Sequence, residues 1–213
     1  MLSYEVLAWI RGTPSPDKET LIFTINGTLF QVFRNAMDPH RTNRVILLTG
    51  DGKGKTSSAL GMVLRAAGHG LRVSVVQFIK RRTDTGEARA LRLLPGVEHR
   101  VCGQGFVRER AGAAFEAHAQ AARVGLALAA ERLRDPACGM VVLDEVCGAV
   151  SLGLLDARAV AEALAGAAPG MIAVLTGRDA PPELAALADT VSVVSCVKHA
   201  YEQGRSAQRG VEW

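Results

Sequence analysis

The stretch that decides the fold reads Arg44-Val-Ile-Leu-Leu-Thr-Gly-Asp-Gly-Lys-Gly-Lys-Thr56. Its first half is an apolar run that predicts a buried β-strand, and a helical pattern begins at Lys55. A strand, a glycine-rich turn, Lys-Thr and a helix in this order are the setting of a phosphate-binding loop. We therefore expect a nucleoside triphosphate to bind here through its polyphosphate.

The loop is expected to hold phosphate by its backbone and by two side chains. Its glycines permit the positive-φ turns that aim N–H groups inward, and the following helix adds its N-terminal dipole. Lys55 reaches the outer phosphates, and the Thr56 hydroxyl is placed to bind Mg²⁺. The usual spacing would put a glycine at position 49, where this chain has Thr, and the loop carries a second lysine, Lys53. A plain glycine-rich turn, the alternative, has no need of Lys-Thr at the helix start.

Short apolar runs alternate with helical patterns over the whole of residues 44–213. The predicted strands are Arg44–Leu48, Arg72–Gln77, Val97–Cys102, Met140–Leu143, Met171–Leu175 and Thr190–Val194. The predicted helices are Lys55–Ala67, Glu87–Leu94, Ala111–Arg134, Asp156–Ala167 and Pro182–Ala188. Strands that alternate with helices form parallel sheets with right-handed crossovers. We predict a three-layer α/β fold of the P-loop NTPase (RecA-like) type with a mostly parallel sheet.

Residues 1–43 differ from this pattern and are predicted to be an N-terminal extension of the domain at 44–213. Two β-like runs flank Asn26-Gly27, which is a strong signal for a β-hairpin. A second hypothesis is that Met37 is the functional start and that residues 1–36 are an upstream extension or a lineage-specific addition.

The composition of the 213 residues excludes several classes of function. A net charge of +4 suits an anionic ligand, but no Lys/Arg block predicts a nucleic-acid surface. No apolar run is long enough to span a membrane and no signal peptide begins the chain, so we expect a cytoplasmic protein. The cysteines lack zinc-site spacing and are expected to be reduced thiols. They are Cys102, Cys138, Cys147 and Cys196.

The apolar run Met140-Val-Val-Leu-Asp-Glu145 ends in two acids. In nucleotide-binding α/β folds such a strand lies beside the loop strand and presents a carboxylate at its C-terminal edge, where it can bind Mg²⁺. Neighbouring strand residues point in opposite directions, so only one of the two acids is expected to reach the metal. The alternative is an ordinary acidic turn after a strand.

Three further segments carry candidate residues whose role the residues alone leave open. Phe106 follows two glycines and fits a core plug, which we favour on these grounds, or an aromatic displayed at a pocket. Arg178 follows a strand and fits either the phosphate edge of the sheet or a surface ion pair. The segment Lys198–Gly210 is polar and irregular, as an ordinary C-terminal tail would be.

Together these segments resemble the P-loop ATP:corrinoid adenosyltransferases of vitamin B12 synthesis and salvage. The resemblance runs from about Arg44 to Trp213, and the order and spacing of its pieces make chance agreement improbable. In chain order the pieces are Thr49–Thr56, Arg65–Gly70, Val75–Lys80, Gly86-Glu87, Gly105-Phe106, Val141–Glu145, Thr176–Arg178, Ala188–Ser192 and Val197–Tyr201 with Gly204, Ala207-Gln208 and Gly210. The loop with alternate glycines and an extra lysine is this family's own version.

The resemblance implies a specific reaction. Cobalt of a reduced corrinoid, as Co(I), attacks the 5′ carbon of ATP and expels tripolyphosphate, so no general base is required. Lys55, Phe106 and Glu145 are implied as catalytic residues, and Thr56 with Glu145 as Mg²⁺ ligands. Phe106 would then shape the corrin face and displace the lower axial ligand, which reverses the core-plug interpretation. The implied nucleotide-binding residues are Gly50, Asp51, Gly52, Lys53, Gly54, Lys55, Thr56, Ser57, Arg178, Lys198 and His199.

The chain departs from the family pattern at several positions. Arg108 stands where the family has Trp, Cys147-Gly148 where a polar residue and Tyr are common, and Val193-Val194 where Glu with Met or Leu is common. We expect these changes to lie on the corrin side of the site. The family's N-terminal arm is basic and largely helical, unlike residues 21–33.

The family further implies a homodimer, and a flavoprotein or other reductase as partner. Two other functions stay open at the level of sequence. One is a P-loop ATPase or phosphohydrolase, which would need a positioned water and a partner surface. The other is a nucleotide- or corrinoid-binding protein with weakened activity. The products distinguish all three functions, being tripolyphosphate, ADP with phosphate, or none.

Overall fold

The computed structural model describes residues 18–25, 28–35 and 42–212, with side chains described for 42–212. The chain divides into two compact units between Arg41 and Thr42. In the first unit, strand β1 (Lys18–Ile25) pairs antiparallel with β2 (Thr28–Asn35). The Asn26-Gly27 turn and Met37 lie outside the described residues. That this unit is an extension, native or not, stays a prediction.

The second unit alternates strands and helices, except that two helices follow each other between β6 and β7. Its strands are β3 (Arg44–Thr49), β4 (Val73–Gln77), β5 (Val97–Val101), β6 (Met140–Asp144), β7 (Ile172–Thr176) and β8 (Thr190–Val193). Its helices are α1 (Lys55–Gly68), α2 (Gly86–Leu91), α3 (Gly112–Arg134), α4 (Val146–Ser151), α5 (Ala157–Ala165) and α6 (Pro182–Leu187), and a 3₁₀ turn follows at Ala200–Gln203. The strands form one parallel sheet in the order β5-β4-β6-β7-β3-β8.

The central strands of the sheet are buried on both faces and are apolar at most positions, with polar residues mainly at their C-terminal ends. Neighbouring residues of β6 pack on opposite sides: Val141 joins the core under α3 and α5, and Val142 joins the core under α1. Val76 and Val75 of β4 divide in the same way. The predicted three-layer α/β fold with a parallel sheet is therefore confirmed.

All six predicted strands of the second unit and all five predicted helices are present, with ends that differ by a few residues. Helix α4 is the element that the sequence did not predict. It begins directly after β6. Its N-cap residue, Glu145, has a left-handed backbone with φ of 64°, and no side chain caps the helix by a hydrogen bond. Its sequence, Val-Cys-Gly-Ala-Val-Ser, lacks both an N-cap signal and strong helix formers at its start.

The parallel arrangement brings the C-terminal ends of the strands to one edge of the sheet. The loop after β3, Gln77 at the end of β4, Asp144 at the end of β6 and Thr176 at the end of β7 all lie there. In open α/β sheets this edge is where ligands bind. Within the described residues, no helix is both long enough and apolar enough to cross a membrane.

Candidate functional site

The ammonium group of Lys55 is hydrogen-bonded to backbone carbonyls of the phosphate loop itself. Lys55 Nζ donates to the carbonyl oxygen of Gly50 at 2.6 Å and of Gly52 at 2.9 Å, and the residue is 7% exposed. Burial lowers the pKa of this lysine. The nearby negative charge of Glu145 opposes that effect but does not cancel it. The loop thus presents a fixed positive charge at the start of α1, where the helix dipole also favours an anion.

Two glycines of the loop are fixed by the segment that follows β8. A Cβ on Gly50 would lie 2.6 Å from the Val194 carbonyl oxygen, and one on Gly52 would lie 2.6 Å from that of Ser195. The Gly52 amide also donates to the Val194 carbonyl at 2.7 Å. Glycine is required at both positions because backbone packs directly on backbone, and this accounts for the unusual glycine spacing.

Asp144 is the centre of a buried hydrogen-bond network at the strand ends. Its carboxylate accepts from the hydroxyls of Thr56 and Thr176, each at 2.8 Å, and from the Gln77 side-chain amide at 2.9 Å. Lys80 Nζ lies 3.4 Å from the same carboxylate, which is 1% exposed. Because the Thr56 hydroxyl gives its proton to Asp144, its oxygen lone pairs are free to face a ligand in the loop.

His99 extends this network to the edge strand β5. Its Nε2 lies 2.9 Å from the Gln77 side-chain oxygen. Since the Gln77 amide group donates to Asp144, the oxygen of Gln77 must accept, and Nε2 of His99 must carry the proton. Burial lowers the pKa of His99, and a neutral imidazole with this tautomer is enough to make the bond.

Glu145 lies next to this network but is oriented differently. Its backbone amide donates to the Thr176 hydroxyl at 2.8 Å, and its left-handed backbone starts α4. Burial raises the pKa of its carboxyl, and the neighbouring charge of Asp144 adds to that rise. In the structure it is Asp144, rather than Glu145, that hydrogen-bonds Thr56, so the choice of Glu145 as metal ligand stays a prediction.

The residues at the strand ends fit a magnesium ion that is bound partly by phosphate. Thr56, Asp144 and Glu145 supply hydroxyl and carboxylate oxygens, which are the ligands that Mg²⁺ takes, and Mg²⁺ is commonly held by one or two carboxylates plus substrate phosphates. Among the described residues no group of three or more His, Cys, Asp or Glu could hold a metal ion unaided.

The other predicted nucleotide ligands differ in how closely they approach the loop. Arg178 reaches it: one guanidinium nitrogen lies 3.4 Å from the Asp51 carbonyl and another lies 3.9 Å from its carboxylate. Lys53 forms an ion pair with Glu212 of the C-terminal segment at 3.4 Å. Lys198 and His199 lie on that exposed segment, and neither makes a direct hydrogen bond or ion pair with the loop in the described part of the chain.

Phe106 is displayed to solvent and is not a core plug. Its side chain is 90% exposed, in a loop between β5 and α3 that leans on the loop after β4. The Gly105 amide donates to the Ile79 carbonyl at 2.9 Å, and a Cβ on Gly103 would lie 2.2 Å from the Ile79 carbonyl carbon. Arg108, two residues further on, is exposed as well.

Two of the departures from the family pattern, Cys147 and Gly148, are buried in the first turn of α4. That they lie near the corrin side of the site stays a prediction. A Cβ on Gly177 would lie 2.6 Å from the Gly148 nitrogen and 2.8 Å from Cys147 Cβ. A Cβ on Gly148 itself would lie 3.1 Å from a Glu145 carboxylate oxygen. Val193, by contrast, is exposed on the edge strand β8.

Sequence reasoning did not select Gln77, Lys80, His99 or Thr176 as site residues. The signal that could have found two of them is positional, because Gln77 and Thr176 are polar residues at the C-terminal ends of apolar strands. His99 shows no such signal, since it lies within β5. It comes near Gln77 only because β5 pairs with β4, with Gln77 opposite Val101.

Comparison with known proteins gives a consistent result over the second unit. The family described as "ATP:corrinoid adenosyltransferase BtuR/CobO/CobP" matches residues 41–213. A corrinoid adenosyltransferase of Pseudomonas aeruginosa is 44% identical over 177 residues, which are 81% of this chain and 86% of that protein. Corrinoid adenosyltransferase CobA of Salmonella typhimurium is 41% identical over 170 residues, which are 79% of this chain and 85% of that protein. A corrinoid adenosyltransferase of Escherichia coli is 38% identical over 169 residues, with the same shares covered.

The family that the motifs indicated is confirmed by these matches, and its members' region of similarity contains the phosphate loop, the Asp144 network and the Phe106 loop. The chain belongs to the family of ATP:corrinoid adenosyltransferases BtuR/CobO/CobP.

Proposed function

We propose that this chain transfers the 5′-deoxyadenosyl group of ATP to the Co(I) centre of a corrinoid and releases tripolyphosphate, in the synthesis or salvage of adenosylcobalamin. The observation that carries this proposal is a complete triphosphate loop within a chain of this family. It is supported by the exposed aromatic at 106, which is suited to contact with a large flat substrate.

In the proposed reaction one bond forms and one breaks. The cobalt supplies an electron pair to C5′ of ATP, a Co–C bond forms, and the C5′–O bond breaks with its electrons leaving on tripolyphosphate. Lys55 and amides of the loop are proposed to stabilise the negative charge that develops on the leaving oxygens. No residue has to remove a proton from the nucleophile, which accounts for a site without an acid–base pair.

The strand-end network is proposed to orient the groups that meet the triphosphate. Asp144 fixes the Thr56 hydroxyl, and Gln77 with His99 fixes the Asp144 carboxylate. Mg²⁺, when bound by Thr56, an acidic side chain and the phosphates, would neutralise charge on the leaving group. Arg178, which already contacts Asp51 of the loop, is proposed to add a second cation at the outer phosphates.

Several finer properties follow from the family and from composition as proposals. The protein is proposed to be a cytoplasmic homodimer that does not bind nucleic acid and receives its electrons through a flavoprotein or other reductase. Lys198 and His199 are proposed to contact the nucleotide from the C-terminal segment. A gel-filtration mass of one chain would contradict the dimer.

The test is an anaerobic incubation of the full chain with Co(II) cobalamin, a strong reductant, ATP and Mg²⁺. We expect the spectrum of a light-sensitive alkyl-cobalt product, with tripolyphosphate formed in equal amount and measured by ³¹P NMR. A parallel reaction without reductant controls for nucleotide breakdown. ADP with phosphate in place of tripolyphosphate would indicate a phosphohydrolase, and no product with any corrinoid would contradict the transferase.

A further inference from the structure

A cavity of about 410 Å³ has three arginines among its six lining residues. We call it the arginine cleft. Its lining residues are Arg82, Asp84, Gly86, Arg89, Arg209 and Gly210. It therefore lies where the segment that connects β4 to α2, the helix α2 and the C-terminal segment meet, and nothing in the reaction proposed above uses it.

The charge of the cleft favours an anion. Asp84 is its one acidic lining residue and is already held by the guanidinium of Arg82, with two contacts at 3.0 Å. Arg89 and Arg209 form no hydrogen bond or ion pair through their guanidinium groups within the described residues, and both are exposed. Two guanidinium groups remain to face a ligand, and such forks match the oxygens of a carboxylate or a phosphate.

The position of the cleft connects it with both substrates. On one side, Arg81 adjoins Arg82 and lies against the Phe106 loop, with its Cβ 3.8 Å from a Cβ built on Gly105. On the other side, Arg209 is three residues from Glu212, which pairs with Lys53 of the phosphate loop. A corrin ring that covers Phe106 while its cobalt faces the nucleotide would extend its rim towards this cleft.

We propose that the arginine cleft binds an anionic group on the rim of the corrinoid, a carboxylate or a phosphodiester, and thereby selects among corrinoids. This proposal rests on the proposed function, because it assumes that a corrinoid lies against Phe106. The triphosphate is a poorer occupant, since the loop at 49–56 already surrounds it with Lys55, amides and a helix N-terminus. The rim of a corrin carries acid or amide side chains, so its charge varies between substrates.

The experiment measures equilibrium binding of three stable Co(III) corrinoids to the full chain in the presence of ATP and Mg²⁺. Cobyrinic acid has free carboxylates on its rim, cobalamin has a single phosphodiester among amides, and cobinamide has amides alone. The variants are Arg89→Gln, Arg209→Gln and the double variant, and Arg158→Gln on α5 is the matched control because it is also an exposed arginine. Binding of inorganic tripolyphosphate is measured in parallel.

We expect the double variant to bind cobyrinic acid about tenfold more weakly, as for the loss of a charge-assisted contact, with cobinamide changed less than twofold. Loss for cobalamin as well would identify the phosphodiester as a second ligand. Equal losses for all three corrinoids, a loss confined to tripolyphosphate, or no change at all would overturn the proposal. Failure of every corrinoid to bind the unaltered chain would contradict the proposed function itself, and the cleft proposal with it.

Discussion

The two halves of the site are built in opposite ways. The phosphate side, which we define as the loop at 49–56 with Gln77, Asp144 and Thr176, is largely buried apart from Asp51 and Lys53. Thr56, Gln77 and Thr176 all donate hydrogen bonds to Asp144. The other half, which we propose to contact the corrinoid and call the corrin side, is the loop at 103–110 with the arginine cleft. It is mostly exposed and carries Phe106 almost free of contacts with the core.

The difference reflects what each half has to do before its ligand arrives. Stabilising charge on a leaving triphosphate requires donors that are fixed in advance, because reorienting them during the reaction would cost part of the benefit. A large flat substrate can itself cover exposed loops and supply the burial that they lack. We therefore expect changes on the phosphate side to alter folding and chemistry together, and changes on the corrin side to alter chemistry alone.

The largest effect is expected for Lys55→Met, which removes the buried cation of the loop. We expect the rate of transfer to fall about a thousandfold, as for the loss of a preorganised group that faces developing charge. Corrinoid binding should be unchanged, because the lysine faces the phosphates. The measurement is single-turnover formation of the alkyl-cobalt product, with corrinoid binding followed separately.

Lys53→Met is the matched control for this prediction, since Lys53 is half-exposed and pairs with Glu212 in place of the loop carbonyls. Its effect should be well below that of Lys55→Met. Equal losses in the two variants would mean that the loop acts through its net charge, and the contrast between a buried and an exposed lysine would not hold.

The phosphate side could be predicted from the sequence to a greater extent than the corrin side, for a physical reason. A phosphate loop needs glycines, Lys and Thr at fixed spacing within one short segment, so it can be recognised from the sequence alone. The Asp144 network can be predicted only in part, because Gln77 and Thr176 contact Asp144 only once the order of the strands in the sheet is known. That Asp144 hydrogen-bonds Thr56 while Glu145 starts a left-handed turn is a feature that no motif indicated.

On the corrin side the sequence contained less information. Whether Phe106 plugs a core or faces solvent is decided by how two loops meet, here through Gly105 and Ile79. The arginine cleft joins residues more than a hundred positions apart, so spacing could not reveal it. At Cys147-Gly148 the family pattern gave the common residue types but not the burial in α4.

The second prediction concerns Phe106→Ala on the corrin side. We expect transfer to cobalamin to fall about tenfold, because the ring that positions the corrin face is lost. The free energy of unfolding should change by less than about 0.5 kcal/mol, since the side chain is exposed. The measurements are the transfer rate and the absorbance of the bound Co(II) corrinoid, in which the signal of a four-coordinate species should weaken.

Leu64→Ala is the control for this variant because Leu64 is also a large exposed apolar residue, on α1. It should leave both transfer and unfolding unchanged. Destabilisation by Phe106→Ala of 2 kcal/mol or more would show that the ring packs in the folded protein, and the distinction between the two sides would then be wrong.

The smallest effect on rate, with the largest on stability, is expected for Gln77→Leu. Leucine has a similar volume but cannot donate to Asp144 or accept from His99, so the buried Asp144 loses one hydrogen bond and the half-buried His99 loses its partner. We expect the protein to lose about 2 kcal/mol of stability, the cost of leaving buried groups unsatisfied, and the KM for ATP to rise severalfold while the KM for the corrinoid stays the same.

Urea unfolding and steady-state kinetics with each substrate varied in turn measure these quantities. Gln120→Leu is the control, since Gln120 is exposed on α3 and bonds only the Arg123 side chain. If Gln77 orients Thr56 through Asp144, only the KM for ATP should rise. A general loss of structure would raise both KM values. Equal rises in both KM values, or unchanged stability, would mean that Asp144 keeps its position without Gln77, and the phosphate side would then depend on its loop alone.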